Sequence, residues 1–360
     1  MSTLDKHIVY FIGIGGIGMS ALARWFKAQG KTVIGYDRTS TPLTQALEAE
    51  GMPIHYQEST EYIPEESQPS NTLVIYTPAV PATNVELVYF QDHQFEILKR
   101  SAVLGAISKS YFTVAVAGTH GKTTTSSMIA HLLHFAGVDT TAFLGGISTN
   151  FESNLLIGKT SSSIAVVEAD EFDRSFLQLT PNIEVITSTD PDHLDIYGDA
   201  NEMRNSFAEF IGCMQENGQL LASNKVDTTL LNQETMIYGL DTTPIRAENI
   251  RITDRYTFDF NDGQTEIKDI ELLVPGSHNT ENAVAAIKIA LLLGVAPQLI
   301  KSGMAAYKGV KRRFEYVLKN GLVFIDDYAH HPEELRAFIS SVRAMYPEKT
   351  IKVIFQPHLY

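Results

Sequence analysis

The chain has 360 residues, 44% hydrophobic and 19% charged, which is enough for two or three globular domains with sizeable cores. With 28 basic and 42 acidic side chains its formal charge is −14, which excludes long-range attraction to nucleic acid or an anionic membrane, so any phosphate binding must come from local loops and single cations. The one cysteine excludes a disulfide framework, and no secretory h-region or membrane-length apolar run occurs, so a cytoplasmic protein with no nucleic-acid and no membrane partner is expected; oligomeric state is not legible.

The first predicted strand is His7–Ile12, followed by GIGGIGMSALARWF, a glycine turn entering a helix. Thr32–Tyr36 and Thr72–Tyr76 predict two more strands, and Ser101–Ser110 a helix. Strands alternating with helices predict an α/β fold with a Rossmann-like, doubly wound parallel sheet over residues 1–109. Gly13-x-Gly15-x-x-Gly18, with Asp37 further on, matches a dinucleotide fingerprint. Its geometry demands only a diphosphate at a helix N-terminus, so NAD and a UDP-sugar satisfy it equally.

Tyr111–Val116 predicts a buried strand, and a helix starting near Lys122 carries Met128, Ile129, Leu132 and Leu133 on one face. Between them lies AGTHGKTTT, whose Gly118, Thr119, His120, Gly121, Lys122, Thr123 and Thr124 form a candidate triphosphate loop. Glycines let backbone N–H groups close on phosphate oxygens, Lys122 reaches the β and γ phosphates, and the Thr123 hydroxyl can ligate Mg²⁺. Val116 stands where the usual loop has its first glycine, so this is a shortened P-loop. The strand Ser163–Glu168 ends on Glu168, where a carboxylate facing Thr123 completes a Mg²⁺ site. Of the acidic residues that follow, Glu171 is expected in a solvated loop.

The strand Glu184–Thr187 leads to His193, flanked by Asp190, Asp192 and Asp195, a candidate second metal or phosphate site. Cys213 falls in a helical pattern beside Phe207, Phe210 and Ile211 and reads as a core thiol. Shorter β pieces are expected over residues 240–275 and a helix over Asn279–Leu293. Asn279 and Asn282, one turn apart, suit an adenine edge; alone they also fit an N-cap. Arg313 of KRRFE can clamp a γ-phosphate. The central domain, P-loop-type, is therefore drawn over residues 110–313. Residues 314–360 predict a strand at Leu322–Asp326, a helix at Glu333–Met345 and a strand at Lys352–Phe355, a partial C-terminal α/β domain too short for an independent core. Asp326, Asp327, Tyr328, His330 and His331 form a site-like cluster there.

These motifs, in this order, resemble the Mur ligase family over essentially the whole chain. The resemblance rests on GIGGIGMSALA, AGTHGKTTT, EADEFDRSFL, DPDHLDIYGD, GSHNTENAVAA, KRRFE, DDYAHHP and IFQPHLY. It implies an ATP-dependent, Mg²⁺-using ligase of peptidoglycan precursor synthesis, with UDP-sugar, ATP and amino-acid domains. Gly15, Gly16, Ile17 and Gly18 are then expected to hold the UDP diphosphate, with Asp37 counted among the UDP-sugar-binding residues. Lys122 binds β and γ phosphates, Thr123 and Glu168 one Mg²⁺, and His193 a second. Asn279 and Asn282 read adenine, Arg313 meets the γ-phosphate, Asp327 the ribose, and Tyr328 and His330 lie near L-alanine. Several sister ligases carry a modified lysine after the DHxD motif, but no lysine occurs between His193 and Lys225, which fits the alanine-adding branch and UDP-N-acetylmuramate as acceptor. Family members continue beyond the motif ending at Tyr360, so the amino-acid domain is expected to be incomplete and its catalysis weak. The competing expectations are a recycling ligase that adds a tripeptide, a dehydrogenase built on residues 1–109, and a non-catalytic nucleotide-binding module.

Overall fold

The computed structural model describes residues 3–160, 162–191, 197, 199–253 and 255–357. The chain forms two compact units, Met1–Tyr111 with Gln178–Thr180, and Phe112–Leu177 with Pro181–Tyr360.

The first unit is built on a five-stranded sheet, ordered β3-β2-β1-β4-β5, from β1 (Ile8–Ile12), β2 (Thr32–Tyr36), β3 (Ile54–His55), β4 (Thr72–Tyr76) and β5 (Glu96–Lys99). All its pairings are parallel. A parallel sheet is covered on both faces, which is why every residue of β1 is buried. The covering helices include α1 (Ile17–Ala28), α2 (Pro42–Ala49), α3 (Val85–Asp92) and α4 (Arg100–Ser108). α1 buries Met19, Ala21, Leu22, Trp25 and Phe26, the stripe that the 3.6-residue period places on one side.

The second unit carries a ten-stranded sheet, ordered β15-β14-β13-β12-β11-β10-β6-β9-β7-β8. Its strands are β6 (Phe112–Ala117), β7 (Thr140–Ser148), β8 (Ser153–Leu156), β9 (Ile164–Glu168), β10 (Ile183–Ile186), β11 (Gln219–Ser223), β12 (Met236–Leu240), β13 (Ile245–Ile252), β14 (Tyr256–Asn261) and β15 (Glu266–Leu272). The centre is parallel, while β8, β14 and β15 join antiparallel. The described helices are α5 (Lys122–Phe135), α6 (Ala200–Ile211), α7 (Ser277–Leu292), α8 (Pro297–Ala306) and α9 (Pro332–Met345). β16 (Glu315–Asn320) and β17 (Leu322–Asp326) form a separate antiparallel hairpin. Past Arg313 the chain packs on the unit's main core: Phe314 joins it, and Tyr316, Ile325, Phe338, Val342 and Met345 pack against it.

Two expectations are corrected here. Residues 352–355 are not a strand. Val353 and Ile354 are 53% and 94% exposed, and a segment with no neighbouring strand has nothing to complete its backbone hydrogen bonds. Cys213 lies two residues beyond α6 and is half-buried, its Sγ 3.3 Å from the Glu209 carbonyl, so it is a helix-end thiol and not a core one.

Candidate active site

In the second unit β6 runs into the phosphate loop between β9 and β10. Parallel register sets Val116 opposite Glu168, so that β9 ends beside the loop's root. The chain turns at Gly118 (φ 126°) and Gly121 (φ 84°), both in the region that favours glycine. At Gly118 a Cβ would sit 2.3 Å from Thr187 Oγ1, so a side chain is excluded as well as strained. Gly121 precedes α5 and offers no side-chain cap, and the first N–H groups of a helix have no intrahelical acceptor. That leaves a donor-rich terminus of partial positive charge.

The two residues after β10's end, Thr187 and Ser188, order the loop from outside. The N–H groups of Thr119 and His120 donate to Ser188 O (3.2 Å) and Ser188 Oγ (3.0 Å), and the Thr119 and Ser188 hydroxyls are 2.7 Å apart. Thr187 Oγ1 donates to Ala117 O at 3.1 Å. The backbone donors of Thr119 and His120 are thus committed to the scaffold, and the donor-rich part of the loop is the uncapped α5 N-terminus. Sequence reasoning missed Ser188; its signal was a hydroxyl two residues past a strand end, too common to single out.

Lys122 Nζ donates to Gly118 O and to Glu171 Oε1, both at 2.7 Å. This corrects the expectation for Glu171: it is 1% exposed, not solvated. Burial lifts its pKa, and Lys122 pulls it back. For Lys122, burial acts downward but the carboxylates of Glu171, Asp170 and Glu168 hold its pKa above the ordinary lysine value. Glu171 was invisible in the sequence because three neighbouring acidic residues look alike, and only the 3₁₀ turn over Phe172–Gln178 decides which one faces inward.

Glu168 and Thr123 come together as expected. Thr123 Oγ1 donates to Glu168 Oε1 at 3.0 Å, and Gly145 N donates to Glu168 Oε2 at 2.9 Å. Burial raises the Glu168 pKa, the response of a carboxylate short of neutralising charge. One hydroxyl and one carboxylate are hard oxygen donors, and Mg²⁺ takes few protein ligands while keeping waters and phosphate oxygens, so the pair fits that ion. Among the described residues no group of three or more His, Cys, Asp or Glu converges on one point. His193, Asp192 and Asp195 lie outside the described residues.

Asn282 lies on α7 with Oδ1 where a Cβ on Gly121 would be 2.7 Å away, so it abuts the loop. Asn279 is buried and donates from Nδ2 to Pro275 O at 2.8 Å; it sits inside α7, whose N-cap is Gly276, so the N-cap alternative is excluded. Arg313 is placed by its neighbours. Arg312 and Phe314 both take positive φ (60° and 51°), at a cost of roughly 1–3 kcal/mol each. Holding them are the bonds from Phe314 N to Asp327 Oδ2 (2.7 Å) and from Tyr328 N to Arg312 O (2.8 Å). The other Asp327 oxygen accepts from Ala329 N at 2.8 Å, so this carboxylate is a loop staple as it stands. His330 Nδ1 is 3.0 Å from Tyr328 O.

In the first unit Gly13 has φ 85° and its N–H donates to Tyr36 O at 2.8 Å. The Asp37 Oδ2 atom accepts from Gly15 N at 2.7 Å. α1 then begins at Ile17 behind an uncapped Gly16. A Cβ on Gly18 would lie 2.8 Å from Arg100 Nη1, so a guanidinium rests on the turn. Arg100 was also missed: it is far away in sequence, and only the β5-to-α4 junction brings it there.

A parallel sheet with a lysine-threonine loop at its crest and a carboxylate beside the threonine defines a nucleotide-binding α/β protein. Residues 8–112 match the Mur ligase family catalytic domain, residues 116–290 the Mur ligase middle domain, and residues 312–358 the Mur ligase glutamate ligase domain. The chain belongs to the Mur ligase family. It is 53% identical to a UDP-N-acetylmuramate–L-alanine ligase of Parabacteroides distasonis over 98% of this chain and 78% of that protein. A protein of the same name from Cytophaga hutchinsonii is 46% identical over 100% and 79%. Among solved structures, the UDP-N-acetylmuramate–alanine ligase of Thermotoga maritima superposes with a TM-score of 0.84 at 30% identity, covering 97% of this chain and 80% of that one. A murein peptide ligase of Psychrobacter arcticus shares the fold with a TM-score of 0.76 at 23% identity, over 98% and 81%. No helix among the described residues is long and apolar enough to cross a membrane.

Proposed function

We propose that the protein joins L-alanine to UDP-N-acetylmuramate at the expense of ATP, as a cytoplasmic step in peptidoglycan precursor synthesis. The observation that carries the ATP chemistry is the pairing of two adjacent loop residues with two carboxylates, Lys122 with the buried Glu171 (2.7 Å) and Thr123 with the half-buried Glu168 (3.0 Å). The choice of alanine over a tripeptide is supported by relatives at 46–53% identity that carry the alanine-ligase name. The murein peptide ligase likeness stands at only 23%.

In this reading residues 1–109 bind the UDP-sugar through Gly15, Gly16, Ile17 and Gly18, residues 110–313 bind ATP, and residues 314–360 contribute to the amino-acid site. Lys122 exchanges Glu171 for the β and γ phosphates, a like-for-like trade of one anion for another. Thr123 and Glu168 would hold one Mg²⁺, with His193 the candidate for a second, and the metal would supply neutralising charge at the transferring phosphoryl group. The lactyl carboxylate attacks the γ-phosphorus, ADP leaves, and an acyl phosphate results. The alanine amine adds to its carbonyl, loses a proton, and inorganic phosphate departs from the tetrahedral intermediate. Lys122 and Arg313 stabilise the phosphoryl oxygens through both steps. Asn279 and Asn282 face the adenine, Asp327 the ribose, and Tyr328 and His330 the amino acid.

The test is phosphate release with ATP, UDP-N-acetylmuramate and each of L-alanine and a tripeptide. L-alanine-dependent release is expected. Release that responds to the tripeptide and not to alanine overturns the assignment.

A further inference from the structure

Glu334 stands at the start of α9, far along the chain from the phosphate loop, yet its two oxygens serve different partners. Oε2 accepts from His330 N at 3.2 Å and lies 3.5 Å from His331 N, the capping-box role of a third helical residue. Oε1 points the other way. It is 3.3 Å from Nδ1 of His120, in the middle of the phosphate loop, and 3.8 Å from Nη1 of Arg313. His330 Nδ1 approaches Oε2 at 3.5 Å, and the His331 ring lies 4.9 Å from that of His120. The Glu334 side chain is 15% exposed, so its carboxylate meets the Arg313 guanidinium with reduced screening. A helix cap needs one oxygen; the second has been given to the loop and to the arginine.

We infer that Glu334 is a positioning residue that clasps the phosphate loop and Arg313 to α9, so that nucleotide seated on the loop fixes the segment of residues 326–345. The inference rests on the ATP-binding reading of the loop. Arg313 and His120 are the two groups of the clasp that a γ-phosphate also attracts. Nucleotide arrival therefore changes the load on Glu334, and through the cap it changes the load on α9. Glu334→Gln separates the two duties. A carboxamide oxygen still caps, but the charge that holds Arg313 and His120 is gone.

The experiment is hydrogen exchange on the full chain with and without MgATP, for the parent, Glu334→Gln and Glu334→Ala, with melting temperatures alongside. In the parent, MgATP should slow exchange at least fivefold both at residues 118–125 and across α9. In Glu334→Gln the loop should keep its protection and α9 should lose it, with the melting temperature within a few degrees of the parent. Where turnover is measured, kcat should fall about tenfold with the KM for ATP within threefold, and Glu334→Ala should match Glu334→Gln in kcat while melting lower. An α9 response that persists in Glu334→Gln, or is missing in the parent while the loop responds, overturns the clasp. Absence of any loop response in the parent overturns the ATP reading instead.

Discussion

The turn at residues 13–18 and the loop at residues 118–123 share one local plan, a parallel strand running through glycines into a helix with no side-chain cap. Their charges differ. The loop carries its cation within itself, Lys122, held by a buried carboxylate, and its neighbour Thr123 meets a second carboxylate. The turn contains no lysine; the cation that rests against it, Arg100, comes from another helix, and Asp37 already occupies the Gly15 amide. A cation built into the loop cannot leave the phosphates, which suits a triphosphate whose terminal group must be transferred. Backbone donors with a borrowed guanidinium suit a diphosphate that is only held. In the proposed function the same glycine grammar serves reaction in one unit and anchoring in the other.

The most severe way to break the comparison is to remove the loop's cation. Lys122→Ala should lower MgATP affinity at least a hundredfold, since charge-assisted hydrogen bonds contribute about 1.5–3 kcal/mol each. It should also destabilise the fold by about 3–5 kcal/mol, because Glu171 is left buried and unpaired. Lys122→Ala with Glu171→Gln should recover the stability and not the binding. Calorimetric titration and denaturant melts check both; unchanged affinity in Lys122→Ala sinks the loop assignment.

Next come the glycines. Gly118→Ala meets Thr187 Oγ1 at 2.3 Å and Ser188 backbone at 2.8 Å, at a φ of 126° that an L-residue resists. Gly15→Ala meets only side-chain ends, Thr44 Cγ2 at 2.6 Å and Asp37 Oδ2 at 2.8 Å. The first should cost roughly 2–4 kcal/mol and the second about 1, the difference being backbone that cannot yield against side chains that can. Equal losses in thermal unfolding would show that the two turns are equally tolerant and the contrast is misplaced.

A milder change sharpens the metal half. Glu168→Gln keeps an acceptor for the Thr123 hydroxyl but removes the charge. Nucleotide affinity without Mg²⁺ should stay within twofold, while the gain on adding Mg²⁺ should shrink about tenfold. A full Mg²⁺ response in Glu168→Gln would remove this carboxylate from the metal site.

How much of this was legible can be argued residue by residue. Thr32–Tyr36, Thr72–Tyr76 and Leu322–Asp326 were read as strands with the bounds the structure gives, because each is a β-branched or aromatic run closed by polar or turn residues. The loop was legible because its chemistry is consecutive in sequence. Glu171, Ser188, Arg100 and Glu334 were not, because each acts across a long sequence separation that only the sheet order closes. Residues 352–355 show the opposite failure. Their apolar pattern is that of a strand, but a strand is a property of two segments, and among the described residues no partner adjoins them.

The smallest effect is expected at Asp37, and it separates two readings of the turn. In a dehydrogenase a carboxylate in this place accepts from the ribose 2′-hydroxyl, so Asp37→Asn weakens NAD. In the structure the carboxylate faces inward to Gly15 N at 2.7 Å and to Thr39 N at 3.2 Å, where it fixes the turn and opposes an incoming diphosphate. Asn keeps an acceptor for one of those two bonds and carries no charge. UDP-N-acetylmuramate should therefore bind Asp37→Asn two- to fivefold more tightly than the parent, about 0.4–1 kcal/mol, since a tenfold change is about 1.4 kcal/mol. Thermal shifts read this directly, because a ligand that binds only the native state raises the melting temperature. The parent should shift with the UDP-sugar and stay flat with NAD and NADP. An NAD shift in the parent that Asp37→Asn abolishes would return the turn to the dinucleotide class and leave the two glycine turns with no shared reaction to divide.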